Sequence, residues 1–174
     1  MRHLLLLRHA KTERADGRRE DRERALTGRG RREARLMGRL LTAAELVPEA
    51  VLTSPAERAR TTAELAIEAG GWRCKPRVLP SLYASSVAVS LDALRTHGGP
   101  AETVLMVGHQ PTWSAFASAL TGADAVHLPT GAIVHVAFAV DSWGEVGAGT
   151  GELWALVSPS WVRGLTGEPA SDDD

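Results

Sequence analysis

The chain has 174 residues, 44% of them hydrophobic, with 24% charged residues and a formal net charge of −1. That is enough apolar mass for one domain with a substantial core, and the charge is that of an ordinary soluble protein. The lone Cys74 excludes an internal disulfide framework, and no apolar run is long enough for a signal-peptide core or a membrane span, so a cytoplasmic protein is expected.

Four consecutive leucines at residues 4–7 predict a short buried strand that runs into Arg8-His9-Ala10-Lys11. A basic loop, residues 13–24, follows. A helix then starts at Thr27 and runs to about Ala44, with Ala34, Met37, Leu41 and Ala44 spaced to share one face. The first 40 residues hold 13 of the 20 lysines and arginines but 6 of the 21 acidic residues, so they carry +7 and the remainder −8. Such a segment is either a solvated basic face or a positive field that attracts an anionic substrate. No aromatic side chains are interleaved with the arginines, so nucleic acid is not expected as a partner, and neither is a membrane.

Residues 50–53 (A-V-L-T) read as a second strand. Ser54-Pro55-Ala56-Glu57 has the composition of a capping box: serine as N-cap, proline at the first helical position, glutamate three after the cap. That helix should run to Ala69 and stop at Gly70-Gly71. Residues 77–79 form a third short strand, and Val87, Leu91 and Leu94 line one face of another helix. Residues 103–107 (T-V-L-M-V) are a further strand, broken by Gly108-His109-Gln110-Pro111. Pro111 opens a helix in which Trp113, Phe116, Ala117 and Leu120 recur at helical spacing. Residues 132–140 and 152–158 suggest a hairpin around the glycine-rich loop 141–151. A single domain over 1–160 is expected, then a C-terminal extension over 161–174 whose acidic end is expected to be disordered. Strands alternating with helices predict an α/β fold: a three-layer sandwich with a mostly parallel central sheet flanked by helices.

Three of these strands end in polar groups. One ends in Arg8-His9, one in the helix that carries Arg58, and one in Gly108-His109. In open α/β sheets ligands bind beyond the carboxyl ends of the strands, so neighbouring strands would bring two histidines and two arginines to one edge. Guanidinium groups recognise phosphate oxygens in bidentate fashion. Histidine can act as a nucleophile on phosphorus, and phosphoryl transfer is mostly positioning plus charge stabilisation. No H-E-x-x-H, C-x-x-C or Walker-type loop is present, so no metal or other cofactor is expected.

Arg8-His9-Ala10 after a hydrophobic strand, Ser54-Pro55-x-x-Arg58-Ala59-x-x-Thr62 and Val107-Gly108-His109 resemble the histidine phosphatase (phosphoglycerate mutase-like) superfamily. R-x-L-T-x-x-G at 24–30, L-Y-A-S at 82–85 and L-P-T-G-A-I-V at 128–134 are similar to its short SixA-type phosphohistidine phosphatases. The resemblance implies that His9 is the nucleophile, transiently phosphorylated, and that Arg8, Arg58 and His109 hold the phosphoryl oxygens and offset their charge. Ala10 stands where glycine is usual in the wider superfamily. Two departures bear on mechanism. Gln110 follows His109 where the acid-phosphatase branch has a proton-donating aspartate, and residues 80–86 lack the carboxylate of the mutase branch. An enzyme with no positioned acid suits a leaving group that needs little help, such as the P–N bond of phosphohistidine, with Glu13 or Asp21 as rescuers. The expected partner is therefore a phosphohistidine-bearing protein. A small-molecule phosphomonoesterase, or a phosphate-binding module without turnover, is the alternative.

Other residues read as structural. His127 and His135 are expected on strand faces, His3 and His97 at the surface, Trp113 and Trp154 in the core, and Trp143 in loop packing. Cys74, with no acid or histidine beside it in sequence, is expected to be an inert thiol.

Overall fold

A computed structural model describes residues 1–14 and 20–167. In chain order these form β1 (Arg2–Arg8), α1 (Gly28–Ala43), β2 (Ala50–Thr53), α2 (Glu57–Gly70), β3 (Pro76–Val78), α3 (Val87–His97), β4 (Thr103–Gly108), α4 (Thr112–Thr121), β5 (Ile133–Phe138), β6 (Gly151–Val157) and α5 (Pro159–Thr166). The strands make one sheet in the order β3-β2-β4-β1-β5-β6. Strands β3, β2, β4 and β1 pair in parallel, and β5 runs antiparallel to both of its neighbours. The sheet is therefore mostly parallel, as expected.

The four leucines of β1 are explained by its place between β4 and β5. A strand covered on both faces needs apolar side chains at every position rather than at alternate ones. Leu4 and Leu6 enter a core with Leu94 of α3 and Trp113, Phe116 and Leu120 of α4. Leu5 and Leu7 enter the opposite core with Met37 and Leu41 of α1, Ala59, Ala63 and Ala66 of α2 and Val162 of α5. Helices thus cover both faces, completing three layers. All four leucines are fully buried, and at roughly 2 kcal/mol each their burial anchors β1 firmly enough to hold polar groups at its end. Gly38 lets α1 and α2 approach closely, because a Cβ there would lie 2.2 Å from the carbonyl oxygen of Ala66.

Thr27 caps α1 by accepting from the Gly30 amide at 3.0 Å. Ala44, grouped by spacing with the buried face, is instead the exposed C-cap of that helix. The capping box predicted at Ser54 does not form. Helix α2 starts at Glu57 with Ala56 as its N-cap and no side-chain cap, so Ser54 lies two residues before the cap position. The helix does stop at Gly71, in the left-handed conformation with φ 68°.

Trp113 is buried, and so is Trp143, whose Nε1 donates to the Ala101 carbonyl at 2.8 Å. Trp154 is not in the core: it lies on the edge strand β6 and is 52% exposed. His135 is a buried strand-face histidine, as expected. His3 is not simply a surface residue, because its Nδ1 lies 3.0 Å from His135 Nε2. Cys74 is half-buried 3.5 Å from the Pro48 carbonyl, and burial raises its pKa, as an inert thiol requires.

The domain end drawn at residue 160 falls inside α5. That helix is tied to the body by Arg163, which donates to buried Glu33 at 2.9 Å, as does Arg29. The acidic end at 168–174 and residues 15–19 of the basic loop lie outside the described residues. Among the described residues no helix is long and apolar enough to cross a membrane.

Candidate active site

Strands β2, β4 and β1 are adjacent and parallel, so their carboxyl ends emerge along one edge of the sheet. There β1 delivers Arg8 and His9, β4 delivers His109, and β2 leads through Ser54 into Arg58 on the first turn of α2. Arg8 pairs in register with Gly108, and the His9 amide donates to the Gly108 carbonyl at 3.0 Å. The two imidazoles consequently stand side by side, with ring centroids 5.3 Å apart.

The protons on His9 can be placed. Its Nδ1 lies 2.9 Å from the Ala10 carbonyl oxygen, which can only accept, so Nδ1 carries the hydrogen and Nε2 presents a lone pair. Burial lowers the pKa of His9 to about 3. The Ala10 bond opposes this, while the positive charges of His109, Arg58 and Arg8 add to it. For a nucleophile this is the useful direction, since only the neutral ring can attack.

His109 is held at about 4, first by burial and then by Arg58, with Asp21 opposing and Arg8 adding. Its Nε2 lies 2.7 Å from Ser54 Oγ, and its Nδ1 is buried without a partner among the described residues. Arg8 donates through Nη1 to the Leu128 carbonyl at 2.9 Å, and its Nε is likewise buried and unpartnered. The guanidinium of Arg58, itself buried, donates to the Asp21 carboxylate at 2.8 Å and also to the Asp21 backbone carbonyl. Asp21 accepts as well from Arg24 at 3.3 Å and from the Tyr83 hydroxyl at 3.1 Å. Desolvation alone would raise its carboxyl pKa, but the bonds and charge of Arg58, with Arg24 and Tyr83, outweigh this and hold it below the ordinary range.

Three groups have roles in the site that their sequence context did not assign. Thr62 is fully buried; its hydroxyl accepts from the Ala10 amide at 3.1 Å and donates to the Arg58 carbonyl at 2.6 Å, tying the end of β1 to α2. Tyr83 stands edge-on to His109 with centroids 6.0 Å apart. Ser54 touches His109 directly. The motif spacing of Ser54 and Thr62 around Arg58 was the only signal for either. Gln110, by contrast, is spent on the start of α4: its amide donates to Ser114 Oγ and the Leu128 carbonyl and accepts from the Ser114 amide.

Three imidazoles, buried His135 and the partly buried His9 and His109, sit at about 4, 3 and 4, below the ordinary 6.5; for His135 burial leads, followed by the charge of His3. Each stays neutral in the fold at a pH where the unfolded chain takes up a proton. Their stabilising contribution is complete above pH 6.5 and is lost as pH falls toward the folded values. Urea unfolding at pH 5 should accordingly give a free energy roughly 2 kcal/mol or more below that at pH 7. A flat profile across that window would mean that these rings titrate normally.

Among the described residues no three His, Cys, Asp or Glu side chains gather as a metal site. The grouped donors are cationic or neutral, a set that suits an oxyanion.

Residues 4–83 match the model of the histidine phosphatase superfamily (branch 1). An uncharacterized protein of Mycobacterium tuberculosis is 38% identical over 123 residues, covering 68% of this chain and 74% of that protein. A protein put forward as the phosphohistidine phosphatase SixA of Nakamurella multipartitia superposes with a TM-score of 0.79 at 27% identity, over 91% of this chain and 96% of that one. The protein histidine phosphatase SixA complexed with tungstate superposes with a TM-score of 0.77 at 27% identity, over 92% and 99%. On this agreement of fold and sequence, the chain belongs to the histidine phosphatase superfamily, among its SixA-type members, and is a phosphatase.

Proposed function

We propose that this phosphatase hydrolyses phosphohistidine on a protein through a covalent phospho-His9 intermediate. The observation that carries the reading is a neutral His9, with its Nε2 lone pair free of hydrogen, beside two buried unpartnered donors, Arg8 Nε and His109 Nδ1. An oxyanion accepting from both would satisfy them, with the positive charge of Arg58, which Asp21 holds, adding to the attraction. His9 Nε2 attacks phosphorus, the P–N bond to the departing imidazole breaks, and that imidazole takes up a proton from water. Water then attacks the phospho-His9 bond, which releases inorganic phosphate and restores the neutral ring. The cationic groups Arg8 and Arg58 and the donor on His109 stabilise the charge on the equatorial oxygens in both steps.

Three observations favour a P–N bond over an alkyl ester. Asp21 is ionised and engaged by Arg58, which makes it a poor proton donor near neutrality. Gln110 faces the start of α4, and residues 80–86 contain no carboxylate. A leaving imidazole is far less basic than an alkoxide, so the first step needs no strong acid. The solved relatives named for phosphohistidine point the same way. The cytoplasm, where Cys74 stays reduced, is the compartment that fits this substrate.

The test is kcat/KM on a phosphohistidine peptide against the matching phosphoserine peptide and a sugar phosphate. Phosphohistidine should lead by at least about tenfold. A clear preference for either ester would make the protein a phosphomonoesterase instead.

A further inference from the structure

Ser54 is fully buried, and its place in the chain is that of a helix cap it does not serve. A serine hydroxyl has one proton to give and two lone pairs. The Ala56 amide approaches Ser54 Oγ at 3.4 Å and uses a lone pair. His109 Nε2 is much closer, at 2.7 Å. Two arrangements are open to that short contact. If His109 Nε2 carried the hydrogen, the Ser54 proton would be buried with no acceptor among the described residues, a cost of about 1–3 kcal/mol. His109 Nδ1 would then turn a lone pair toward the oxyanion position, where Arg8 and Arg58 gather negative charge. If Ser54 donates to Nε2 instead, both groups are satisfied and Nδ1 carries the hydrogen.

We infer that Ser54 is a positioning residue for dephosphorylation: its hydroxyl locks neutral His109 in the Nδ1–H tautomer, so that Nδ1 donates to a phosphoryl oxygen without the ring being protonated. This deepens the proposed function, because it takes His109 as a phosphoryl ligand. The charged and titratable groups facing His109 are His9 and Arg8 from β1, Arg58 from α2, and Asp21 and Tyr83 from the loops over it. None of them supplies a hydrogen bond to either of its nitrogens.

The tautomer can be read directly by nitrogen-15 correlation spectroscopy of the imidazoles in the full-length protein at pH 7.5. Wild type should show a protonated Nδ1 and bare Nε2 on His109. Ser54→Ala should shift the ring toward the other tautomer, and Ser54→Thr, which keeps the hydroxyl, should retain the wild-type pattern. On a phosphohistidine peptide, Ser54→Ala should lower kcat about 10- to 100-fold at pH 7.5, more than it raises KM. That deficit should narrow only as pH falls below 5 toward 4, where His109 begins to carry hydrogens on both nitrogens whatever Ser54 does. A merely structural serine would give a deficit independent of pH. A protonated Nε2 in the wild type, or an unchanged tautomer in Ser54→Ala, overturns the inference while leaving His9 chemistry intact. Full activity in His109→Ala would instead strike at the role of His109 on which it rests.

Discussion

His9→Gln is expected to lower kcat on every phosphorylated substrate by about 10³-fold or more, and to abolish labelling of the protein by a radioactive phosphohistidine peptide. Glutamine keeps much of the volume and can still reach the Ala10 carbonyl, so the fold around β1 should survive. What it removes is the Nε2 lone pair, and with it the intermediate that divides one displacement into two easier ones. Because the cationic groups Arg8 and Arg58 and the donor His109 remain, binding of an oxyanion such as tungstate should persist in the variant. Its signature is a rise in Tm with added tungstate in both proteins. Label retained on the variant, or activity within tenfold of wild type, would rule out His9 as the phosphorylated residue.

Arg58→Ala should lower kcat/KM by about 10²- to 10³-fold, the usual cost of deleting a fixed donor to a charge that develops in the transition state. Arg58→Lys should recover little, because one ammonium cannot present two parallel donors to phosphoryl oxygens. Stability should change far less than activity. The partner left behind, Asp21, has a side chain 53% exposed, whereas that of Arg58 is 8% exposed. Water can therefore hydrate the freed carboxylate, and a pair with one exposed member contributes about 1 kcal/mol or less. The measurement is kcat/KM beside a urea melt for the same variants. A large loss of stability with near-normal turnover would reverse the reading and make Arg58 a structural ion-pair partner.

Much of the fold was legible because the chain states it locally. The unbroken leucines announced a buried strand, and the Gly70-Gly71 stop and the spacing in α4 appear where expected. The two histidines and two arginines were legible because each ends or follows a strand. Features that depend on register or on distant partners were hidden. Trp154 looks like a core residue by composition, yet nothing in its local pattern says that β6 has a neighbour on one side only. His3 meets His135 across 132 residues of chain. Asp21 was named only as a spare acid, and its grip on Arg58 spans 37 residues. Ser54 was the instructive error: its surroundings spell a cap, but the helix starts at Glu57 with Ala56 as its N-cap, and the Ser54 hydroxyl lies against His109, 55 residues away.

The knot that Thr62 makes between Ala10 and Arg58, with β1 wedged between β4 and β5, bears on how the enzyme fails under heat. The reacting groups hang from the interior of the sheet rather than from a lid or a fraying margin, so no partial loosening can disperse them while the body stays whole. Thermal inactivation should then track collapse of the entire molecule, and residual turnover becomes a direct count of the intact fraction.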